Sequence, residues 1–358
     1  MTTYRLLIIN PGSTSTKIAI FESDKNVFQK NLNHSREELS AFSSITDQDE
    51  FRKEIVLNEV KTAGYDINKI DAVIGRGGLV KPIPSGIYLV NEAMRKDLRN
   101  SPLGEHASNL GGLIADDIAK SIGRAKAYIA DPVVVDEMED IARVSGNPNF
   151  KRISIFHALN QKAIARTFAQ DTGKNYNEVN LIVAHLGGGI SVGAHRKGKV
   201  IDVNNALDGD GPFSPERSGG LPIGQLAKLC FSGKYSLKEV KKMIKGEGGL
   251  VGYLGTNDAY EVEQRIEKGD KKAEFIFNAM AYQVAKEIGA MAAVLEGEID
   301  GILLTGGIAH SKPFVEFVEK MTGFLAPVKA YPGEDEMAAL AKNGLMVLNN
   351  ETEPLIYK

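Results

Sequence analysis

The sequence is poor in cysteine, tryptophan and long apolar runs, and these shortages exclude several classes of protein. Its 358 residues include one cysteine, Cys230, and no tryptophan. A single thiol excludes an intrachain disulfide and a cysteine-based zinc site. Cys230 lies in the apolar run 226–231, which predicts a buried structural thiol rather than a reactive one.

Targeting segments and an excess of charge are also missing. Arg5 is followed by only four apolar residues before Asn10, which is not the layout of a signal peptide. No apolar stretch reaches membrane-spanning length. Lysine and arginine number 43 against 46 acidic residues, a formal net charge of −3. This balance gives no reason to expect nucleic acid or an anionic membrane as a partner. Because neither a signal peptide nor a membrane-spanning stretch is predicted, we expect a cytoplasmic protein.

Strand and helix patterns alternate along the chain, which predicts an α/β fold. Short apolar runs predict strands at residues 5–9, 17–21, 72–74, 127–129, 181–184, 191–194 and 301–304. Helical spacing predicts helices at residues 50–63, 109–121, 155–168, 236–244, 273–295, 312–321 and 336–348. Residues 6–16 and 181–191 share one pattern, a strand, a glycine turn and a second strand, which suits a pair of duplicated domains.

Three glycine-containing turns follow strands and suit contact with a nucleotide. Residues 10–17 combine a glycine, four consecutive hydroxyl residues and a lysine, and residues 185–189 end in three glycines. Backbone N–H groups of tight turns bind anions, and glycine lets a ligand approach closely. Residues 305–311 begin with Thr-Gly-Gly after a strand and lead into a helix. Taken alone, each turn is more typical of an ordinary polar hairpin or connection.

Taken in order, these turns and several further segments resemble the acetate and sugar kinase, heat-shock chaperone and actin superfamily. Within it, the closer resemblance is to the butyrate kinase branch of the acetate kinase family, over essentially the whole chain. Besides the turns, the most specific segments of the resemblance are residues 7–17, 75–78, 106–112, 131–136, 156–161, 213–220 and 333–336.

The resemblance implies two duplicated ribonuclease H-like, actin-like ATPase domains, each a mixed twisted sheet flanked by helices, with a cleft between them. We expect residues 1–150 with 337–358 to form the N-terminal domain. Residues 151–336 would form the second domain and carry most of the nucleotide site. The implied reaction is reversible phosphorylation of a short-chain fatty acid carboxylate by ATP with Mg²⁺, with butyrate favoured.

The resemblance also assigns residues to roles, by position in the matching segments. The catalytic residues implied are Arg76, His157, Arg217 and Asp131. The ATP phosphates would contact Asn10, Gly12, Ser13, Thr14, Ser15, Lys17, His185, Gly187, Gly188 and Gly189. The adenosine would contact Asp258, Gly306, Gly307 and Ile308. The metal environment implied is Asn10 with Asp335 or Glu336, and Asp131 is equally suited to cap a helix before Pro132.

The acceptor acid is expected to bind against Gly78, Phe156, Pro215 and Glu105. Acetate kinases carry a valine where this sequence has Gly78, so the glycine predicts space for a longer tail. Each extra buried methylene contributes on the order of 0.8 kcal/mol, which favours a preference rather than exclusivity. Glu105 aligns with an apolar wall position and departs from the family pattern.

Other activities are compatible with the same motifs. Kinases for branched-chain fatty acids, propionate or acetate would share them. An actin-like or chaperone-like ATPase is the alternative from another class, but it leaves the arginines at positions 76 and 217 unexplained. The resemblance also implies a homo-oligomer, a dimer or a larger assembly, whose partners are ATP or ADP and the acid or its acyl phosphate.

Overall fold

A computed structural model describes residues 3–358, and the chain divides into two compact units. Unit 1 consists of residues 3–135 and 335–358, and unit 2 consists of residues 136–334. The first boundary thus lies at residue 136, whereas the sequence suggested 150. Residues 136–150 belong to unit 2 because their side chains and backbone bond to it: Lys162 Nζ lies 2.7 Å from Glu137 Oε2.

Unit 1 is built on one sheet. Its strands are β1 (Arg5–Pro11), β2 (Ser15–Glu22), β3 (Lys25–Asn33), β4 (Ala72–Arg76), β5 (Ile87–Leu89), β6 (Lys126–Ala130) and β12 (Leu355–Ile356). They lie in the order β12-β5-β6-β4-β1-β2-β3. β1 pairs antiparallel with β2 and parallel with β4, and its residues 6–9 are fully buried. A continuous apolar run is what a strand covered on both faces requires.

Helices cover this sheet and fix the position of its strand ends. They are α1 (Arg36–Ser40), α2 (Asp49–Thr62), α3 (Glu92–Asn100), α4 (Asn109–Ile122) and α12 (Glu336–Leu348). A Cβ placed on Gly344 of α12 would lie 2.6 Å from Leu6 Cδ2, so α12 lies directly on β1. The N-terminus of α12 is thereby held close to the end of β1.

Unit 2 repeats the same arrangement. Its strands are β7 (Asn180–Leu186), β8 (Ile190–Arg196), β9 (Lys199–Val203), β10 (Gly301–Gly306) and β11 (Val328–Pro332). They lie in the order β11-β10-β7-β8-β9. β7 pairs antiparallel with β8 and parallel with β10, as β1 pairs with β2 and β4. The five strands of unit 2 therefore match the series β6-β4-β1-β2-β3, which confirms the predicted duplication of a mixed sheet.

The helices of unit 2 include one long core helix. They are α5 (Ala158–Asp171), α6 (Ile223–Cys230), α7 (Leu237–Ile244), α8 (Gly249–Leu254), α9 (Ala259–Glu267), α10 (Lys271–Val294) and α11 (Lys312–Thr322). One face of α10 is buried from Ala273 to Ala292 against β7 and β8. Across residues 3–358, no helix is both long and apolar enough to cross a bilayer.

Two predictions about the helices of unit 2 are wrong. Cys230 is exposed, because α6 has no buried residue and its apolar side chains do not enter the core. The helix predicted from residue 155 begins at Ala158, so His157 lies just before the helix instead of on it.

Candidate active site

The β1–β2 turn is held from behind by a buried arginine. Gly12 N–H donates to Ser15 O at 2.7 Å and closes the turn. Arg52 of α2, fully buried, donates from Nη1 to Gly12 O at 2.7 Å and to Ser15 O at 3.0 Å. Its Nη2 donates to Ser13 O at 3.1 Å. The carbonyl side of the turn is thus occupied, while Ser13 and Thr14 are exposed.

Arg52 places a positive charge beneath this turn. Burial lowers the pKa of Arg52 to about 10, which still leaves the guanidinium protonated near neutral pH. Its Nε and Nη2 also donate to Gln48 Oε1, a neutral acceptor, at 3.1 and 2.8 Å. Sequence reasoning missed this residue. The available signal was its spacing, since Arg52 shares one helical face with the buried Val56 and Val60.

Three of the sequence-predicted residues of unit 1 meet at the end of β1. Glu336 Oε2 accepts from Asn10 Nδ2 at 2.6 Å and from Arg76 Nη1 at 2.8 Å. The adjacent Asp335 instead caps α12 by accepting from Ala338 N–H at 2.8 Å. The geometry therefore brings Glu336, and not Asp335, to the side chains of Asn10 and Arg76.

Asp131 lies buried on a strained turn after β6. Its φ of +38° is in the left-handed region that residues other than glycine seldom adopt. Its Oδ1 accepts from Ser85 Oγ at 2.6 Å and from Gly86 N–H at 2.9 Å. The alternative of a helix cap is wrong, because residues 133–134 form a turn and Val135 pairs with Ile83.

Gly78 does not open space for an acyl chain. A Cβ on Gly78 would lie 2.6 Å from Asn109 Cα and 2.8 Å from Leu98 Cδ2. Asn109 Oδ1 is also bonded to Leu79 N–H at 2.8 Å. The glycine is needed because α4 packs directly on the loop after β4, so the prediction of a widened pocket at Gly78 is wrong.

In unit 2, two of the predicted histidines stack on each other. The rings of His157 and His185 lie 3.8 Å apart between centroids, at an interplanar angle of 14°. His157 Nδ1 lies 2.9 Å from Ser191 Oγ. His185 Nδ1 lies 2.8 Å from Asn160 Oδ1, and its Nε2 lies 3.5 Å from Glu334 Oε2. Each ring is thus held through Nδ1 by a buried polar side chain.

The guanidinium of Arg217 packs on the β7–β8 turn. Gly187 N–H donates to Gly189 O at 3.1 Å and closes the turn. A Cβ on Gly189 would lie 2.6 Å from Arg217 Cζ and closer still to Nη1, so the arginine lies directly on this glycine. Arg217 Nη1 also donates to Ala206 O. The structure therefore joins the predicted arginine to the third glycine of the predicted turn.

Arg217 is incompletely compensated. Its buried Nε has no hydrogen-bond partner among residues 3–358. Burial lowers the pKa of Arg217, and the nearby Glu216 offsets this in part. A desolvated cation with an unsatisfied donor gains most from an anionic ligand.

The remaining predicted residues have different environments. Gly306 has a φ of +89° and packs against the end of β7, and a Cβ on Gly307 would meet nothing within 4 Å. Ile308 is buried in the 3₁₀ turn that leads to α11. Asp258 is exposed and caps α9 by accepting from Tyr260 N–H at 2.9 Å.

Of the other residues predicted to contact the acid or ATP, some are buried and some are exposed. Phe156 and Pro215 of unit 2 are buried. Glu105 of unit 1 is exposed and lies 3.4 Å from Ile45 N, and Lys17 is exposed on β2. Among the described residues, no group of three or more His, Cys, Asp and Glu side chains could hold a metal by itself.

Comparison with known proteins gives one consistent family. Residues 150–326 match the model of the acetokinase family. The chain is 57% identical to butyrate kinase 2 of Clostridium acetobutylicum over 99% of both chains. It is 54% identical to butyrate kinase 1 of the same organism, covering 99% of this chain and 100% of that one. The acetate kinase structure from Porphyromonas gingivalis has a TM-score of 0.81 at 20% identity, over 96% of this chain and 100% of that one.

Proposed function

The chain belongs to the acetokinase family, and we propose that it is a carboxylate kinase that transfers a phosphoryl group from ATP to butyrate. The reaction is ATP + butanoate = ADP + butanoyl phosphate, and it is reversible. The observation that carries the proposal is the 57% identity, over 99% of both chains, to a protein named as a butyrate kinase. An actin-like or chaperone-like ATPase has no such support.

The chemistry needs cations and donors rather than a base. A carboxylate is ionised at neutral pH, so the barrier comes from its repulsion by the phosphoryl group and from charge on the leaving oxygen. We assign Arg76 and Arg217 to this charge, because a guanidinium can bridge two oxygens in a fork. His157 is assigned to the transferring phosphoryl group as a hydrogen-bond donor. The transfer is direct and in line.

In each unit, phosphate contacts are assigned to the homologous glycine turn. In unit 1 Ser13 and Thr14 are exposed, whereas Arg52 occupies the carbonyl side of the turn. Lys17 and His185 supply further positive or donor groups, and residues 187–189 supply backbone N–H groups. The adenosine is assigned to the turn formed by residues 306–308, with Asp258 as a further contact.

The divalent cation is assigned to Glu336 and Asn10 of unit 1. Glu336 and Asn10 offer a carboxylate and an amide oxygen, the donors that Mg²⁺ prefers. Mg²⁺ in kinases is held by few protein ligands together with phosphates and waters, which agrees with so sparse a set. Glu336 is preferred to Asp335, whose carboxylate caps α12. Bound Mg²⁺ would offset phosphate charge. Asp131 is assigned to hold the loop at Ser85 and Gly86.

The identity of the acid follows from the relatives and not from Gly78. Phe156 and Pro215 remain candidates for an apolar wall, and Glu105 for its polar edge. A kinase for propionate, acetate or branched acids would share every residue assigned above. Selectivity among acids is therefore the point to measure.

The decisive experiment is a hydroxamate assay of acyl phosphate formation across straight and branched acids of two to six carbons. We expect the highest kcat/KM with butyrate, a requirement for Mg²⁺, and the reverse reaction from butanoyl phosphate and ADP. A higher kcat/KM with acetate, propionate or a branched acid would replace butyrate with that acid. Failure to phosphorylate any acid would refute the proposed activity. We also propose a cytoplasmic homo-oligomer, which sedimentation equilibrium would test.

A further inference from the structure

His157 ends a series of hydrogen bonds whose inner members, Ser191, Gln161 and His195, are fully buried. His157 Nδ1 lies 2.9 Å from Ser191 Oγ, and Gln161 Nε2 lies 2.9 Å from the same oxygen. Gln161 Oε1 lies 2.9 Å from His195 Nε2. His195 Nδ1 lies 2.7 Å from Tyr176 OH. We call Ser191, Gln161, His195 and Tyr176 the His157 relay.

The backbone carbonyl of Ser191 fixes the direction of the hydrogen bonds that Gln161 makes. Gln161 Nε2 also lies 3.0 Å from the carbonyl oxygen of Ser191, which can only accept. The nitrogen of the amide must therefore face Ser191, and Oε1 must face His195. Since Oε1 can only accept, His195 carries a proton on Nε2.

The hydrogen bond between His195 and Tyr176 points in the same direction along the relay. His195 is fully buried, and burial together with the charges of Lys162 and Arg166 lowers its pKa well below the usual value. A neutral ring protonated on Nε2 has a bare Nδ1, which accepts from the hydroxyl of Tyr176. Each bond of the relay therefore points toward His157.

The groups around the Ser191 hydroxyl fix the direction of its own proton. Its oxygen has two lone pairs. One accepts from Gln161 Nε2–H, and the other is approached by the backbone N–H of His157 at 3.4 Å. The O–H proton is then directed at His157 Nδ1. A nitrogen that accepts this proton carries none of its own, so a neutral His157 carries its proton on Nε2.

The stacked ring gives a second, independent reason for a neutral His157. Both nitrogens of His185 face oxygen acceptors, Asn160 Oδ1 at 2.8 Å and Glu334 Oε2 at 3.5 Å. If one of the two stacked rings carries an additional proton, that proton is better placed on His185, where both N–H groups have an acceptor. A further positive charge on His157, at 3.8 Å between ring centroids, would be repelled.

We infer that the His157 relay holds His157 neutral, with its proton on Nε2, so that this N–H donates to the transferring phosphoryl group. The role of that donor rests on the proposed function, whereas the tautomer does not. Ser191, Gln161 and His195 are positioning residues. The relay fixes ring orientation and tautomer before ligands bind, which removes a cost from the transition state.

The direct test is the tautomer of the unliganded full-length protein. Long-range ¹H–¹⁵N correlation of ¹⁵N-histidine-labelled protein distinguishes a bare ring nitrogen from a protonated one. Among the six histidines, the signals of His157 can be identified by comparison with His157→Gln, which removes that one set. We expect a bare Nδ1 and a protonated Nε2 on His157 near neutral pH. A proton on Nδ1, or on both nitrogens, would overturn the inference.

The functional test removes the hydroxyl that contacts His157. We expect Ser191→Ala to give a mixture of His157 tautomers and to lower kcat about 10- to 100-fold, with much smaller changes in the KM for ATP and for the acid. Thr322→Val is the matched control. It deletes another buried hydroxyl of unit 2, bonded to Val318 O at 2.8 Å, and should leave tautomer and kcat unchanged.

The two arms separate the possible failures. Ser191→Ala with an unchanged tautomer and wild-type kcat would overturn the inference. The expected tautomer in a protein that phosphorylates no acid would refute the proposed function and leave the relay intact. The tautomer of the wild-type protein is measured without Ser191→Ala, so the inference is testable even if that variant does not fold.

Discussion

The contact between Gly189 and Arg217 allows the role of Arg217 to be tested without changing Arg217 itself. The backbone of Gly189 is outside the positive-φ region, so alanine is conformationally allowed. Its new Cβ would lie 2.6 Å from Arg217 Cζ, where carbon–carbon contacts are normally about 3.5–4.0 Å. The guanidinium must therefore move away from Gly189 and lose its bond to Ala206 O.

Displacing a charge-stabilising group costs about 10²–10³-fold in rate. We expect Gly189→Ala to lower kcat by this amount in a coupled ADP assay, nearly as much as Arg217→Ala does. The double variant should be no worse than the poorer single variant, because both changes remove one interaction. The free energy of unfolding should change little, because the about 0.4–1 kcal/mol that an allowed Gly→Ala exchange contributes through the unfolded chain offsets the lost bond between Arg217 and Ala206 O.

Gly188→Ala is the matched comparison on the same turn. A Cβ at this position would have Glu216 Oε2, at 3.9 Å, as its nearest neighbour. We expect a smaller loss, expressed mainly in the KM for ATP. If Gly189→Ala lowers kcat no more than Gly188→Ala does, while Arg217→Ala is severely impaired, then the contact with Gly189 does not position Arg217.

Three further predictions follow from burial in the two units. Gly78→Val should destabilise the fold by more than about 3 kcal/mol in urea unfolding, because its Cβ would meet Asn109 Cα at 2.6 Å; a stable variant with selectivity shifted toward acetate would contradict this. Arg52→Met should raise the KM for ATP about tenfold, with little change in the KM for the acid, and equal changes in both would contradict a role at the turn. Burial, helped by the nearby Asp210, raises the pKa of Glu287 to about 6 from 4.5, so the folded state holds this proton more tightly and loses stability as pH rises through that range. Glu287→Gln should therefore stabilise by about 1–2 kcal/mol at pH 7.5 and by almost nothing at pH 4; an equal gain at both pH values would contradict this.

Periodicity was sufficient to predict most of the fold. The run of residues 6–9 and the glycine turn after it predict β1 and its hairpin, and the echo at residues 181–191 predicts the second sheet. These features are local, so they are visible in one dimension. The start of α5 was misplaced because Ile155 and Phe156 are apolar at helical spacing, although they precede the helix.

The site was predicted less completely, because spacing does not show what a side chain faces. Asp335 and Glu336 are adjacent in the chain, and only the packing of α12 on β1 separates a cap from a partner of Arg76. Arg52 and Ser191 carry no motif. Each acquires a role through a neighbour that is distant in sequence, Ser13 in one unit and His157 in the other.

The glycines show most clearly what a motif cannot contain. Gly78, Gly188 and Gly189 all belong to segments that carry the family resemblance, yet their missing side chains serve different purposes. At Gly78 the space is filled by Asn109, at Gly189 by Arg217, and at Gly188 it is open. A glycine in a site motif is therefore informative only once the direction of its absent Cβ is known. Where that direction holds a catalytic side chain, the glycine acts on the reaction through the residue that it admits, even without contacting a ligand.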